Sequence, residues 1–320
     1  MTGAHPGRET DGTPRVLRVL TWNLWWRFGD WRARREAIAA VLAEVRPDVL
    51  GLQEVWAHGP GNLAGWLAAR LGRETGGAWH WAWAAERVPE RWWRRIEPHG
   101  AAGGPAGGPG WEVGNAVVSR WPIAERAVLR LPVAGGRDNG RLALYALVDA
   151  PGARVPFFTA HLNAAAHESA VRRAQVAALA EFVAERGGGG ADGAAGPFPP
   201  VVTGDFNAPP ESDELRLLGG LLTAPAVAGQ VLRDAWSYAD PAAPSATWDR
   251  ANPHVAARLE PSARLDYIHV GPPGPGGLGA VRSVRRVGAE PVRGPRGPVW
   301  PSDHAAVTAD LWLRAPGAVL

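Results

Sequence analysis

Four short runs of aliphatic and aromatic residues in this chain end in side chains able to bind a metal ion or a phosphate. RVLRVLTWNL (15–24) closes on Asn23, DVLGLQEV (48–55) on Glu54, RVPFFTAHLN (154–163) on His161 and Asn163, and PVVTGDFN (200–207) on Asp205 and Asn207. Runs of this kind read as buried strands. In open α/β sheets, ligands sit beyond the carboxyl ends of strands. Neighbouring, co-directional strands would therefore bring these side chains onto one patch. Taken singly, each ending has a plain structural reading. Asn23 can be a turn residue, Asp205 with Asn207 an Asx turn or helix cap, and Glu54 a surface charge. Four such endings in one chain favour a shared site.

The intervening segments supply helices and further strands. Residues 31–45 carry Ile38, Val41, Leu42 and Val45 at helical spacing, and Pro47 stops that helix. A second helix is expected over 63–71, with Leu63, Trp66, Leu67 and Leu71 on one side and Gly72 as its terminator. Residues 78–86 alternate as a strand, and the Gly/Pro-rich stretch 97–110 is expected to be a mobile loop. Further strands are expected at 113–123, 141–149, 264–270, 281–289 and 305–313. The longest helix spans 167–186, with Val171, Ala174, Ala178, Leu179, Phe182 and Val183 inward, and a shorter one lies near 214–222. Strand–helix alternation in two batches, with hairpin-like strands between, points to an α/β architecture with mixed sheets. We expect a disordered tail over 1–14 and a single domain over 15–315.

Composition excludes several chemistries. With no cysteine among 320 residues, disulfides, thiolate nucleophiles and sulfur-ligated metals are ruled out. The chain has no run of about 18 apolar residues, so no spanning helix is expected, and its polar start lacks the pattern of a secretory signal. The cytoplasm is the expected compartment, and a monomer the expected state. Net charge is only +3, and all basic side chains are Arg, as a GC-rich coding sequence would give. A strongly basic nucleic-acid footprint is not visible.

Near the C-terminus stand RLDYI (264–268) and SDH (302–304). Asp266 lies in an otherwise apolar strand, where a lone carboxylate is costly. A backbone group or Arg264 could satisfy it. His304 is the preferred partner, because a histidine acting on phosphate needs a carboxylate to fix its tautomer.

TWNL (21–24), LQEV (52–55), GNAVVSRWPI (114–123), TAHLN (159–163), TGDFN (203–207), RLDYI and SDH follow one another in that order. Together they resemble the endonuclease/exonuclease/phosphatase superfamily, over residues 15–315. The resemblance implies a DNase I-like four-layer α/β sandwich, with two mixed β-sheets face to face and helices outside. It implies Mg²⁺, with Mn²⁺ able to substitute, and carboxylate and amide oxygens suit such hard ions. It places Asn23, Glu54 and Asp303 at the metal and makes Asp205 the residue that activates water. By the same resemblance Asn207 steadies that water or a phosphate oxygen. His161 and Asn163 line the phosphate side, and His304, oriented by Asp266, contacts the scissile phosphate. Arg141 matches a position where many relatives carry Arg, so a phosphate contact is expected there, against a surface ion pair.

The implied activity is metal-dependent hydrolysis of a phosphate ester, whether in a nucleic acid, a small molecule or a lipid headgroup. A nuclease or phosphodiesterase is the first reading, and a sphingomyelinase-like phospholipid esterase the alternative. A non-catalytic binding module would predict a damaged metal site, and the core motifs are all present. Tryptophan use is high, at 17 residues. Trp66 and Trp312 are expected in packing. Trp79, Trp81, Trp83, Trp92 and Trp93, interleaved with Arg87, Arg91, Arg94 and Arg95, are read either as packing under a loop or as an aromatic and basic wall for substrate.

Overall fold

The computed structural model describes residues 15–86, 88, 92, 110–133, 140–188 and 198–314. The expected tail over 1–14, most of loop 97–110, and Arg87, Arg91, Trp93, Arg94 and Arg95 lie outside the described residues.

Two mixed sheets pack face to face. The first contains β1 (Arg15–Asn23), β2 (Val49–His58), β3 (Gly61–Asn62), β4 (His80–Glu86), β5 (Trp111–Ser119), β12 (Val281–Val287) and β15 (Ala306–Arg314), ordered β12-β15-β1-β2-β5-β4 with β3 beside β2. The second contains β6 (Ile123–Arg130), β7 (Leu142–Ala150), β8 (Ala153–His161), β9 (Val201–Asp205), β10 (Arg233–Asp234) and β11 (Asp266–Val270), ordered β10-β11-β9-β8-β7-β6. Strands β13 (Val292–Gly294) and β14 (Gly297–Val299) form a separate hairpin. Helices α1 (Trp31–Val45) and α2 (Leu63–Thr75) cover the first sheet, and α3 (Ser169–Arg186) and α4 (Asp213–Gly219) the second. A one-turn helix, α5 (Pro253–Ala256), lies between β10 and β11.

Strand alternation assigns residues to layers. Leu17, Val19 and Val49 point between the sheets and meet Leu144, Phe157, Val201 and Ile268. Leu20, Trp22, Leu50 and Leu52 point outward against Ile38, Leu42, Leu67 and Leu71 of the helices. On the other side Tyr145, Phe158 and Val202 meet Val176, Leu179, Phe182 and Leu215. Where Gly51 faces the second sheet, a Cβ would lie 2.2 Å from Thr203 Oγ1, so the Thr203 and Thr159 side chains pack directly on the Gly51 backbone.

The topology puts one set of strand ends at one edge. β1 runs parallel to β2 and β8 parallel to β9, so Asn23, His161 and Asp205 lie at carboxyl ends, and Gln53, paired with Asn23, brings Glu54 beside them. β11 runs antiparallel to β9, with Asp266 opposite Asp205. β15 runs antiparallel to β1, so its start, just after Asp303 and His304, falls on the same side.

Several expectations need correction. Glu54 is not at a strand end, since β2 continues to His58. Leu52 pairs with Ala116 and Val55 with Gly114, so one extra residue bulges out. Glu54 takes φ 51° in that bulge. Helix α2 runs through Gly72 to Thr75 and is closed by Gly76 at φ 72°. On α3, Ala174 is exposed while Arg172 and Gln175 are buried, because those polar side chains hold the neighbouring loop. Strand β6 escaped the sequence reading because it is an edge strand with mostly exposed residues. Trp66 and Trp312 are half-buried packing residues, and Trp92 is buried against Trp26 and Phe28. Among the described residues no helix is long and apolar enough to cross a membrane.

Candidate active site

Asp205 is the hub. Its Oδ2 accepts a hydrogen bond from Asn23 Nδ2 at 2.9 Å, across the gap between the sheets, and its Oδ1 accepts from the Asn207 N–H at 3.0 Å. The Nε2 atoms of two histidines flank the same Oδ2, His161 at 3.5 Å and His304 at 3.8 Å. Burial, reinforced by the charge of Asp266, pushes the Asp205 carboxyl up to about 6, against the opposing pull of His304 and the two amides. Asn207 holds φ 49° and donates from Nδ2 to Leu162 O at 3.1 Å, tying the end of β9 to that of β8.

The histidines carry their protons differently. His304 Nδ1 lies 2.8 Å from Asp266 Oδ2, so Nδ1–H points at that carboxylate and Nε2 faces the site. Burial alone would lower the His304 pKa, but Asp266 and Asp205 outweigh it and hold the ring well above its ordinary value. Arg264, the other partner considered for Asp266, pairs with Asp234 at 2.6 Å. His161 Nδ1 lies 2.8 Å from Arg141 Nη1. A guanidinium can only donate. Nδ1 must therefore be the acceptor, and the ring proton sits on Nε2, facing Asp205. Burial and the Arg141 charge keep His161 neutral, with its pKa well below the usual value. Arg141 is buried and paired with Glu86 at 3.3 Å, so it is not a surface ion pair.

Glu54 and Asp303 form the other half. Glu54 Oε2 is shut off from solvent without a hydrogen-bond partner. Burial, followed by the like charge of Asp303, pushes its carboxyl up to about 8. Burial also raises the Asp303 pKa. Ser302 Oγ–H donates to Asn23 O at 2.6 Å, which fixes the segment carrying Asp303 and His304 to the end of β1. Asn163 is buried two residues beyond His161. Its Nδ2 donates to Glu168 and its Oδ1 accepts from Gln175, so both ends of the amide are engaged.

The groups that brace the site leave only a faint mark in the sequence. Arg34 of α1 donates to Leu24, Trp25, Trp26, Phe28 and Pro301 carbonyls at 2.9–3.0 Å, gathering the loop after Asn23 around one guanidinium. Gln53 Nε2 donates to Thr159 Oγ1 at 2.8 Å, joining the sheets one residue before Glu54. A buried Arg on an amphipathic helix and the Gln preceding Glu54 were the available signals.

Asp205, Asp266 and His304 present ligand atoms within 4.8 Å of one another, close enough to hold a metal ion. In this triad His304 Nδ1 and Asp266 Oδ2 already satisfy each other. Asp266 Oδ1 and Glu54 Oε2 are both orphaned buried oxygens, and Glu54 also feels the charge of Asp303; such atoms are the kind a hard cation would complete.

Two face-to-face mixed sheets carrying acidic and imidazole groups at one edge define the DNase I-like class of sandwich. The model of the Endonuclease/Exonuclease/phosphatase family matches residues 20–304, and the chain belongs to that family. Among solved structures, a family protein from Beutenbergia cavernae is 25% identical, with TM-score 0.65, covering 94% of this chain and 72% of its own. TDP2 from D. rerio, complexed with single-strand DNA product, is 18% identical, with TM-score 0.64 and coverage of 92% and 98%. The human Nocturnin catalytic domain with bound sulfate is 20% identical, with TM-score 0.59 and coverage of 93% and 96%. No curated protein matches the sequence at a significant level.

Proposed function

We propose that this protein is a Mg²⁺-dependent phosphodiesterase of the endonuclease type. Members of its superfamily generally hydrolyse phosphate esters. The observation that carries the reading is the convergence of Asn23, His161 and His304 on one oxygen of Asp205, beside a Glu54 carboxylate oxygen that has no partner in the protein.

Glu54, with Asn23 and Asp303, would hold the ion, which when bound supplies positive charge to the phosphate oxygens. Asp205 orients the attacking water and accepts its proton at a carboxylate oxygen. A carboxyl raised to about 6 is still ionised at neutral pH yet more basic than a free one. His304 donates from Nε2–H to a non-bridging phosphate oxygen and brings a positive ring to the charge that builds there. His161, neutral with its proton on Nε2, steadies Asp205 or the same oxygens. Asn207 positions the water through the backbone bond it makes to Asp205. Asn163, whose amide is engaged by Gln175 and Glu168, shapes the phosphate-side loop, and Arg141 acts through His161. The single-strand DNA product and the sulfate named with two fold relatives agree with a ligand of the phosphate-ester type.

Glu54→Ala and Asp205→Ala should each lower turnover of bis-p-nitrophenyl phosphate in Mg²⁺ by roughly 10³-fold or more, with the circular dichroism spectrum unchanged. Undiminished turnover in both variants refutes the role assignment. A panel of nicked and abasic DNA, RNA, inositol phosphates and sphingomyelin then separates the readings. Activity confined to the lipid would replace the nuclease-type reading by the phospholipid one.

A further inference from the structure

Two aromatic rings outside the catalytic cluster stand beside it on separately pinned loops. Trp25 follows Asn23, and its N–H donates to Asn23 Oδ1 at 2.9 Å. His254, on α5, donates from its N–H to Asn252 Oδ1 at 3.0 Å, and Asn252 Nδ2 donates to Ser302 O at 2.8 Å, next to Asp303. The rings meet with centroids 4.5 Å apart and planes 42° apart, and both are half-buried. Trp25 reaches this position at φ 54°, followed by Trp26 at φ 31°. Bulky residues rarely adopt such angles. The Arg34 clamp over-determines the loop and thereby sustains the strain.

We infer that Trp25 and His254 form a stacking shelf for a neutral planar ring next to the scissile phosphate, the base of a nucleotide ester. The choice against a quaternary ammonium headgroup rests on charge. The Arg34 guanidinium lies 4.8 Å from the Trp25 ring centre and opposes a second cation there, and the carboxylates that act on Arg34 most strongly, Asp303 and Glu54, are those that would face the ion. Partial burial and the same Arg34 charge favour the neutral form of His254. Arg258, two residues beyond α5, adds positive potential that reaches Asp303. A base needs none of the negative potential that such a headgroup seeks, and any base offers a face that stacks on an aromatic platform. The shelf rests on the phosphoester reading only for where the ligand's phosphate sits.

The test is calorimetric binding to the Mg²⁺-loaded protein with inorganic phosphate, thymidine 5′-monophosphate and phosphocholine as probes. The nucleotide should bind about tenfold or more tighter than phosphate, and phosphocholine no tighter than phosphate. The tenfold increment should vanish in Trp25→Leu and in His254→Ala. If Trp25→Leu does not fold, His254→Ala decides alone. An increment retained in the folded variants, or an equal one for phosphocholine, overturns the shelf. Because binding is read without turnover, absent hydrolysis with a persisting increment would count against the hydrolase reading alone.

Discussion

At the residue scale the site divides into atoms that are satisfied by the protein and atoms that are not. Asp205 and both histidines are joined by hydrogen bonds or close approach, and Asp266 Oδ2 by its bond to His304, whereas Glu54 Oε2 and Asp266 Oδ1 are left without partners. The first group is fixed before substrate arrives, and its geometry depends on single bonds. Asp266→Asn keeps the shape but no longer anchors Nδ1–H of His304 with a full charge. We expect kcat on bis-p-nitrophenyl phosphate to fall by about 10³–10⁴-fold with KM little changed, by analogy with the loss of the orienting carboxylate in other histidine sites. Steady-state kinetics on the folded variant checks this, and an unchanged kcat would remove Asp266 from the orienting role.

Elements explain how those residues meet. Parallel pairs deliver carboxyl ends and antiparallel strands deliver amino ends to one edge of the sandwich, and a bulge in β2 turns Glu54 toward it. Arg34 then holds the loop leaving β1. Arg34→Met keeps the aliphatic stem but leaves several buried carbonyls without donors. Each unsatisfied group costs about 1–3 kcal/mol, so urea denaturation should show a loss of at least about 3 kcal/mol. The ends of β1, β8 and β9 were legible in the sequence because apolar alternation stops there on polar letters. The partnership of Asp266 with His304 was also legible, since a carboxylate in an apolar strand demands one. The bulge was not, because an extra residue leaves no mark in the local pattern, and LQEV reads as an unbroken strand. Nor was the role of Arg34, Arg172 or Gln175. A helix face that buries polar groups to hold a loop looks, letter by letter, like a solvent face.

For the whole molecule, stability should depend on pH through buried neutral imidazoles remote from Glu54 and Asp303. His269 is 2% exposed on β11 between Phe206 and Tyr267, and burial pushes its pKa down to about 4. The unfolded chain protonates this ring near its ordinary value of about 6.5, and the folded chain does not until about 4. As pH falls the unfolded state therefore gains protons first, and stability is lost between those values. His269→Phe should remove about 2 kcal/mol of the loss measured between pH 7 and pH 5, in denaturant titrations at the two pH values. Equal slopes for variant and parent would show that this ring titrates normally in the fold. The closure of the two sheets at Gly51 has a wider consequence. Glu54 and Asp303 ride on one slab, Asp205 and Asp266 on the other, with a single layer of side chains as the spacer. Thickening that layer anywhere, even by a methyl group far from the edge, would pry the jaws of the site apart, so turnover should register damage to the interior before melting does.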